Sequence, residues 1–173
     1  MKRTAIGVTF AALCIALFTS SPSYAGPQHS VDPPTGAHLV LDVTARGAQI
    51  YSCQPTSEGY RWKFIAPAAN LFNPAGKEIG RHFAGPTWEM QDGSAIVGVV
   101  LAQASAPAPQ SIPWLLLGVK SQHGAGVLSN VKFVRRVETQ GGVAPASGCD
   151  AEHASEQARM KYTAHYLFYS VSR

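Results

Sequence analysis

The chain has 173 residues, with 14 Lys plus Arg against 10 Asp plus Glu and a formal charge of +4; 46% of its residues are hydrophobic and 14% are charged. That is too apolar and too weakly charged for a disordered chain. The basic residues are also too few and too scattered for a dedicated nucleic-acid binder, and at roughly 100–200 residues per domain the length fits a single domain.

The chain begins with Lys2 and Arg3, followed by an apolar run from Ala5 to Phe18 and a stretch of small and turn-forming residues from Thr19 to Ala25. Ser23 and Ala25 place small side chains third and first before a cut after Ala25. This three-part layout predicts a secretory signal peptide over residues 1–25. The apolar run falls short of the ~20 residues that span a bilayer. Leu13 before Cys14 does not match a lipoprotein signal. Cleavage removes Lys2 and Arg3, halving the formal charge of +4. It also removes Cys14, leaving Cys53 and Cys149 with one possible pairing. In the oxidising compartment that export implies, the periplasm or the cell exterior, a Cys53–Cys149 disulfide is expected. No later segment is long and apolar enough to predict a membrane span in the mature form.

Residues 26–36 are rich in Pro, Gly and polar groups and read as a flexible leader. The domain is expected to occupy residues 37–173. Leu39, Leu41 and Val43 alternate with more polar neighbours, and Gln49, Tyr51 and Cys53 alternate again after Arg46-Gly47, suggesting a hairpin about that break. Tyr60 to Ile65 reads as a third strand ended by Ala66-Pro67. Asn73-Pro74-Ala75-Gly76 is a turn signal. Strands are predicted over Lys77–Phe83 and Thr87–Gln91, separated by Ala84-Gly85-Pro86. Asp92-Gly93 predicts a two-residue type I′ hairpin into a strand over Ser94–Ala104. Ala95 to Leu101 is apolar on both faces and is expected to be an inner strand. After a Pro-rich loop, Trp114–Ser121 and Asn130–Glu138 read as strands. Asp150–Arg159 reads as a short helix capped by Asp150, and Tyr162–Val171 as a closing strand. Without alternating helices, this pattern predicts an all-β, single-domain antiparallel sandwich or squat barrel with one short helix near the C-terminus.

The chain carries no nucleophile elbow, metalloprotease His pair, Cys-x-x-Cys pair or phosphate-binding loop. Gly124-Ala125-Gly126 lacks the third glycine and the following helix of a dinucleotide site. The histidines, among them His29, His82, His153 and His165, show no metal-ligand spacing, so neither metal nor cofactor is predicted. The densest polar segment runs from Ile79 to Ser94. If its strands pair about Ala84-Gly85-Pro86, His82 falls opposite Trp88 and Arg81 opposite Glu89. That places an imidazole and an indole on one face, with a cation and a carboxylate on the other. The pattern fits a small polar site with an aromatic wall presented at the edge of a groove. It equally fits a structural Arg–Glu pair and a His–Trp packing contact. Trp114, like Trp62, is either core or a stacking platform. Arg135-Arg136 sets one guanidinium on each face of its strand, which reads as structural.

These features favour a non-enzymatic binding module for a small molecule or glycan, with Arg81, His82, Trp88, Glu89 and Trp114 as candidate ligand contacts. One alternative is a hydrolase using His82 as base with Glu89 or Asp92. Another is a structural or envelope-stress protein. Neither the ligand nor the oligomeric state can be read from the sequence. The runs GAHLVLDVTARGAQIYSCQ, WKFIAPAANLF, IGRHFAGPTWEMQDGS, IPWLLL, RRVETQGGVAPASGCD and YTAHYLFY together resemble the secreted domain-of-unknown-function family DUF3455, found in bacteria and fungi. The resemblance implies a secreted, mostly β domain and keeps both mature cysteines; it implies no established activity, cofactor or catalytic residue.

Overall fold

The computed structural model describes residues 30–172. The expected signal peptide lies outside them. Eight strands follow one another: β1 Ala37–Thr56, β2 Gly59–Phe72, β3 Glu78–Phe83, β4 Thr87–Met90, β5 Ala95–Ala104, β6 Trp114–His123, β7 Phe133–Gly141 and β8 Gln157–Val171. Each pairs antiparallel with the next. β8 then pairs with β1, closing the sheet into a barrel. Closure removes the two bare outer strands that an open sheet leaves.

The all-β antiparallel expectation holds, and several local expectations do not. The hairpin expected at Arg46-Gly47 is absent, because β1 runs unbroken for 20 residues. Gly47 instead permits close approach to β2: a Cβ there would lie 2.2 Å from the Ala68 carbonyl oxygen. β2 likewise continues through Ala66-Pro67. β3 pairs with β2 only from Ala69 onward, so Pro67 faces no β3 ladder that would need its N–H. The expected helix over Asp150–Arg159 is also absent. Asp150 does cap a turn, its Oδ1 accepting from the Glu152 and His153 amides at 3.0 and 3.1 Å. The turn ends at Ser155, which has a φ of 70°. The Ser155 amide donates to the Cys53 carbonyl at 2.8 Å, and the chain joins the β1–β8 ladder at Gln157. Long-range strand pairing outweighs the weak helical propensity of a few alanines.

The Asp92-Gly93 turn joins β4 to β5, but with a three-residue loop. Gly93 has a φ of 85° and Asp92 is not in the positive region, so the two-residue type I′ turn does not form. The Gly93 amide donates to the Met90 carbonyl at 3.0 Å, and the Met90 amide to the Ser94 carbonyl at 2.9 Å. This is a type I turn followed by a left-handed glycine. The extra residue slips the ladder by one, so Trp88 pairs with Ile96 and not with Val97. By contrast, the Asn73–Gly76 turn forms as expected, with the Lys77 amide donating to Asn73 Oδ1 at 2.9 Å.

The core fills the barrel. On β8, Tyr162, Ala164, Tyr166 and Phe168 are buried and alternate with less buried neighbours. Val43, Leu71, Ile96, Leu117 and Val134 meet them from other strands. Each large apolar side chain so buried contributes roughly 1.5–3 kcal/mol. One end of the barrel is plugged by the β6–β7 connection, which buries Leu128 and Val131 completely. At the other end, a disulfide joins Cys53 of β1 to Cys149 of the β7–β8 connection, with Cα atoms 5.2 Å apart. Outside the barrel, Val31 is buried and Asp32 pairs with Arg135 at 2.8 Å, docking the described part of the leader.

Candidate functional site

β3 and β4 form a short hairpin in an otherwise tall wall. β3 meets β2 only at Ala69–Phe72, and β4 meets β5 only at Ala95–Val97. Beyond the Ala84–Pro86 turn, β2 and β5 continue with no strand between them. The expectation that β5 is an inner strand fails for this reason. Val99, Val100 and Leu101 stand about half exposed, as do Phe64 and Ile65 of β2. The result is a notch with apolar sides.

The notch opens into a cavity of about 560 Å³ to which all eight strands contribute. Its lining is mainly carbon, from Phe64, Ile65, Pro67, Pro86, Val100, Ile112, Leu115 and Leu117. Set among these are Gln49, Tyr51, His82, Trp88, Gln103, Arg136 and Tyr166.

The register about Gly85 places His82 opposite Trp88 and Arg81 opposite Glu89. His82 and Trp88 face inward and are buried. Their rings stack with centroids 4.5 Å apart and planes 12° from parallel. Tyr166 meets both rings edge-on, at 5.0 Å from His82 and 5.4 Å from Trp88. Trp88 is only 1% exposed, so it forms the floor of the cavity and does not stand at a groove edge. Arg81 and Glu89 lie on the outer face, joined at 3.1 Å. Asp92 lies at the plugged end, where it holds Ser94 and Val127. His82 is thus separated from both carboxylates named with it. Trp114, at the start of β6, is partly buried and does not line the cavity. Trp62 donates to the Ser147 carbonyl at 2.9 Å and ties down the loop that carries Cys149.

His82 Nδ1 lies 2.8 Å from the Thr87 carbonyl oxygen. The contact requires Nδ1 to carry the proton and leaves Nε2 as an acceptor. Burial pushes the imidazole pKa down to about 3; Arg136 adds to the depression, and the Thr87 carbonyl opposes it. His82 is therefore neutral at physiological pH and a weak base. Burial raises the Tyr166 and Tyr51 hydroxyls, with Arg136 pulling both the other way.

Arg136, with Gln49, Tyr51, Gln103 and Tyr166, is among the polar lining residues absent from the candidates read from the sequence. That reading put one guanidinium of Arg135-Arg136 on each face and treated both as structural. Arg135 faces out and pairs with Asp32. Arg136 faces in, and its Nε and Nη2 donate to the Pro113 carbonyl at 3.1 and 2.8 Å. Strand parity is the signal that could have found it: β7 stays regular through Val137, so Arg136 shares the face of the buried Val134 two residues before it.

The cavity's buried polar atoms are incompletely matched. Gln49 Nε2, Trp88 Nε1 and the Tyr166 hydroxyl have no hydrogen-bond partner, nor do the Tyr162 hydroxyl and, away from the cavity, Trp114 Nε1 and Arg135 Nε. The Tyr166 hydroxyl lies within reach of the Tyr162 hydroxyl and the Arg136 guanidinium, and Gln49 within reach of Tyr162, but none of these contacts has full hydrogen-bond geometry. Buried polar groups are normally satisfied, so several exceptions around one cavity require an explanation. His82, His153 and His165 are far apart in role: inside the barrel, on the Asp150 turn and beside Asp42 on β1. Among the described residues no group of His, Cys, Asp and Glu has metal-holding geometry.

The sequence pattern of the family described as Protein of unknown function (DUF3455) matches residues 33–170. The chain belongs to the DUF3455 family. No curated protein and no solved structure matches it. The matched region of this DUF3455 protein takes in every strand of the barrel except the last residue of β8. Among its described residues no helix is long and apolar enough to cross a membrane. Its disulfide is consistent with an oxidising, exported compartment.

Proposed function

We propose that this DUF3455 protein is an exported binding module that takes a small, largely apolar molecule through the notch into the barrel. The observation that carries this reading is the cavity itself. Its volume of about 560 Å³ falls in the range of small-molecule sites, and a mostly apolar wall with a few polar groups is their usual character. The lining favours such a molecule over a glycan, whose hydroxyls would meet mostly carbon. Of the candidate contacts read from the sequence, His82 and Trp88 remain in this proposal; Arg81, Glu89 and Trp114 do not.

A neutral apolar fluorophore, N-phenyl-1-naphthylamine, tests the reading. Its emission should rise and saturate with the folded protein. Val100→Trp, at the half-exposed side of the notch, should abolish the rise, and Arg81→Ala on the outer face should leave it unchanged. No saturable signal with the wild-type protein overturns the proposal. Export with cleavage after Ala25 is part of the same reading, and an intact mass retaining residues 1–25 would contradict it.

A further inference from the structure

We propose that the ligand carries an anionic head, a carboxylate, and that Arg136 is its anchor. This rests on the cavity being a ligand site, as proposed above.

Charge balance is the first reason. Arg61, Arg81 and Arg135 each pair with a carboxylate; Arg46, Arg136 and Arg159 pair with none among the described residues, and of these Arg136 alone lines the cavity. Its two hydrogen bonds go to one neutral carbonyl, that of Pro113. No Asp or Glu lines the cavity. The titratable groups influenced by Arg136 are His82, Tyr51, Tyr162 and Tyr166. None is an anion at neutral pH: the imidazole is held neutral, and burial raises all three phenols. A partly buried cation in carbon-rich surroundings gains most from an anion that enters with it.

The second reason is independent of charge. The unpartnered polar atoms lining the cavity are a Gln49 amide nitrogen, the Trp88 indole nitrogen and the Tyr166 hydroxyl. The first two can only donate, and the third can donate. Such a set matches a group rich in acceptors. A carboxylate offers two oxygens and several lone pairs and brings no donor of its own. The rest of the lining suits an apolar body. The chemical class is therefore an amphipathic monocarboxylate: an aliphatic or aromatic acid seated with its charge toward Arg136 and its body toward Phe64, Leu115 and Leu117.

Octanoate, 1-octanol and octylamine share a tail and differ at the head. Their affinities for the full exported protein, disulfide intact, can be compared by displacement of N-phenyl-1-naphthylamine and by calorimetry at neutral pH. Octanoate should bind at least tenfold more tightly than 1-octanol, with octylamine weakest. Arg136→Gln should lower octanoate affinity at least tenfold and 1-octanol affinity by much less, so that the preference for the acid is lost. Arg136→Lys, which keeps the charge, should retain part of the preference. The wild-type comparison decides the matter even if Arg136→Gln does not fold. Equal binding of octanoate and 1-octanol overturns the carboxylate anchor and leaves the cavity reading standing. If none of the three displaces a bound fluorophore, the proposed ligand class is wrong; if the fluorophore itself fails to bind, both proposals fall.

Discussion

At the plugged end of the barrel, polar side chains are used up. Gln122 Nε2 donates to the carbonyls of Leu128, Ser129 and Val131 at 2.9, 2.8 and 3.2 Å. Asp92 accepts from the Ser94 amide and hydroxyl through Oδ1, at 2.9 and 2.6 Å, and from the Val127 amide through Oδ2, at 2.8 Å. At the open end, Gln49, Trp88 and Tyr166 keep donors without acceptors, and Arg136 keeps a charge without a counter-charge. The same barrel closes one end by satisfying its polar groups and leaves the other incompletely matched. Satisfied networks secure a fold; unsatisfied donors beside a cavity are groups that the proposed ligand would satisfy.

The comparison can be tested by acid. The His82 pKa is lowered by burial from 6.5 to about 3, so the unfolded chain binds a proton that the folded chain refuses. Stability is therefore retained above about pH 6.5 and lost as the pH falls toward 3. At ~1.4 kcal/mol per unit, the loss across that window is on the order of 4–5 kcal/mol. His82→Gln should flatten this branch of the stability–pH curve, measured by denaturant unfolding.

Removing the disulfide should come next in size. Cys53 and Cys149 are 96 residues apart in sequence, and cross-links of this kind contribute about 2–4 kcal/mol. Cys53→Ser with Cys149→Ser should lower the melting temperature. Faster hydrogen exchange should concentrate in the β7–β8 connection, leaving the plugged end protected. Uniform loss of protection would mean that the two ends are not separable.

Asp92→Ala should cost about 1.5–3 kcal/mol, the scale of hydrogen bonds to a charged acceptor. It should leave fluorophore uptake unchanged, because Asp92 lies at the opposite end from the notch. Weakened uptake would show that the plug shapes the cavity. The smallest effect is expected on the outer wall, where breaking the exposed Arg81–Glu89 pair should change stability by less than about 1 kcal/mol.

Local pairing was readable where the turn chemistry was unambiguous. Ala84-Gly85-Pro86 correctly set His82 against Trp88. Asp92-Gly93 marked the next turn but missed its length by one residue, because Asp-Gly also fits a type I turn ending in a left-handed glycine. Gly47 was misread because close approach and chain reversal both select glycine, and only the position of Ala68 distinguishes them. The apparent helix after Asp150 failed for a different reason: β1 offers that segment a longer ladder than its own sequence offers a helix. The candidate site suffered most. Alternation placed Arg135 and Arg136 on opposite faces, but which face is interior, and that it surrounds a cavity, depends on β8 meeting β1 and on how short β3 and β4 are beside their neighbours.

The closure of the barrel also bears on how the chain folds. Seven of the eight ladders join strands adjacent in sequence, whereas the ladder from Ala37↔Val171 to Ser52↔Gln157 joins the first strand to the last. Hairpins can form as soon as their two strands are available, but this last pairing must await the C-terminal strand and bears the loop-closure entropy of nearly the whole domain. As the chain is synthesised, β1 is among the first segments to emerge and the last to have both edges covered. Barrel closure needs residues 157–171, and a chain truncated before Gln157 would leave the 20-residue β1 without its second partner, an edge available to a neighbouring chain.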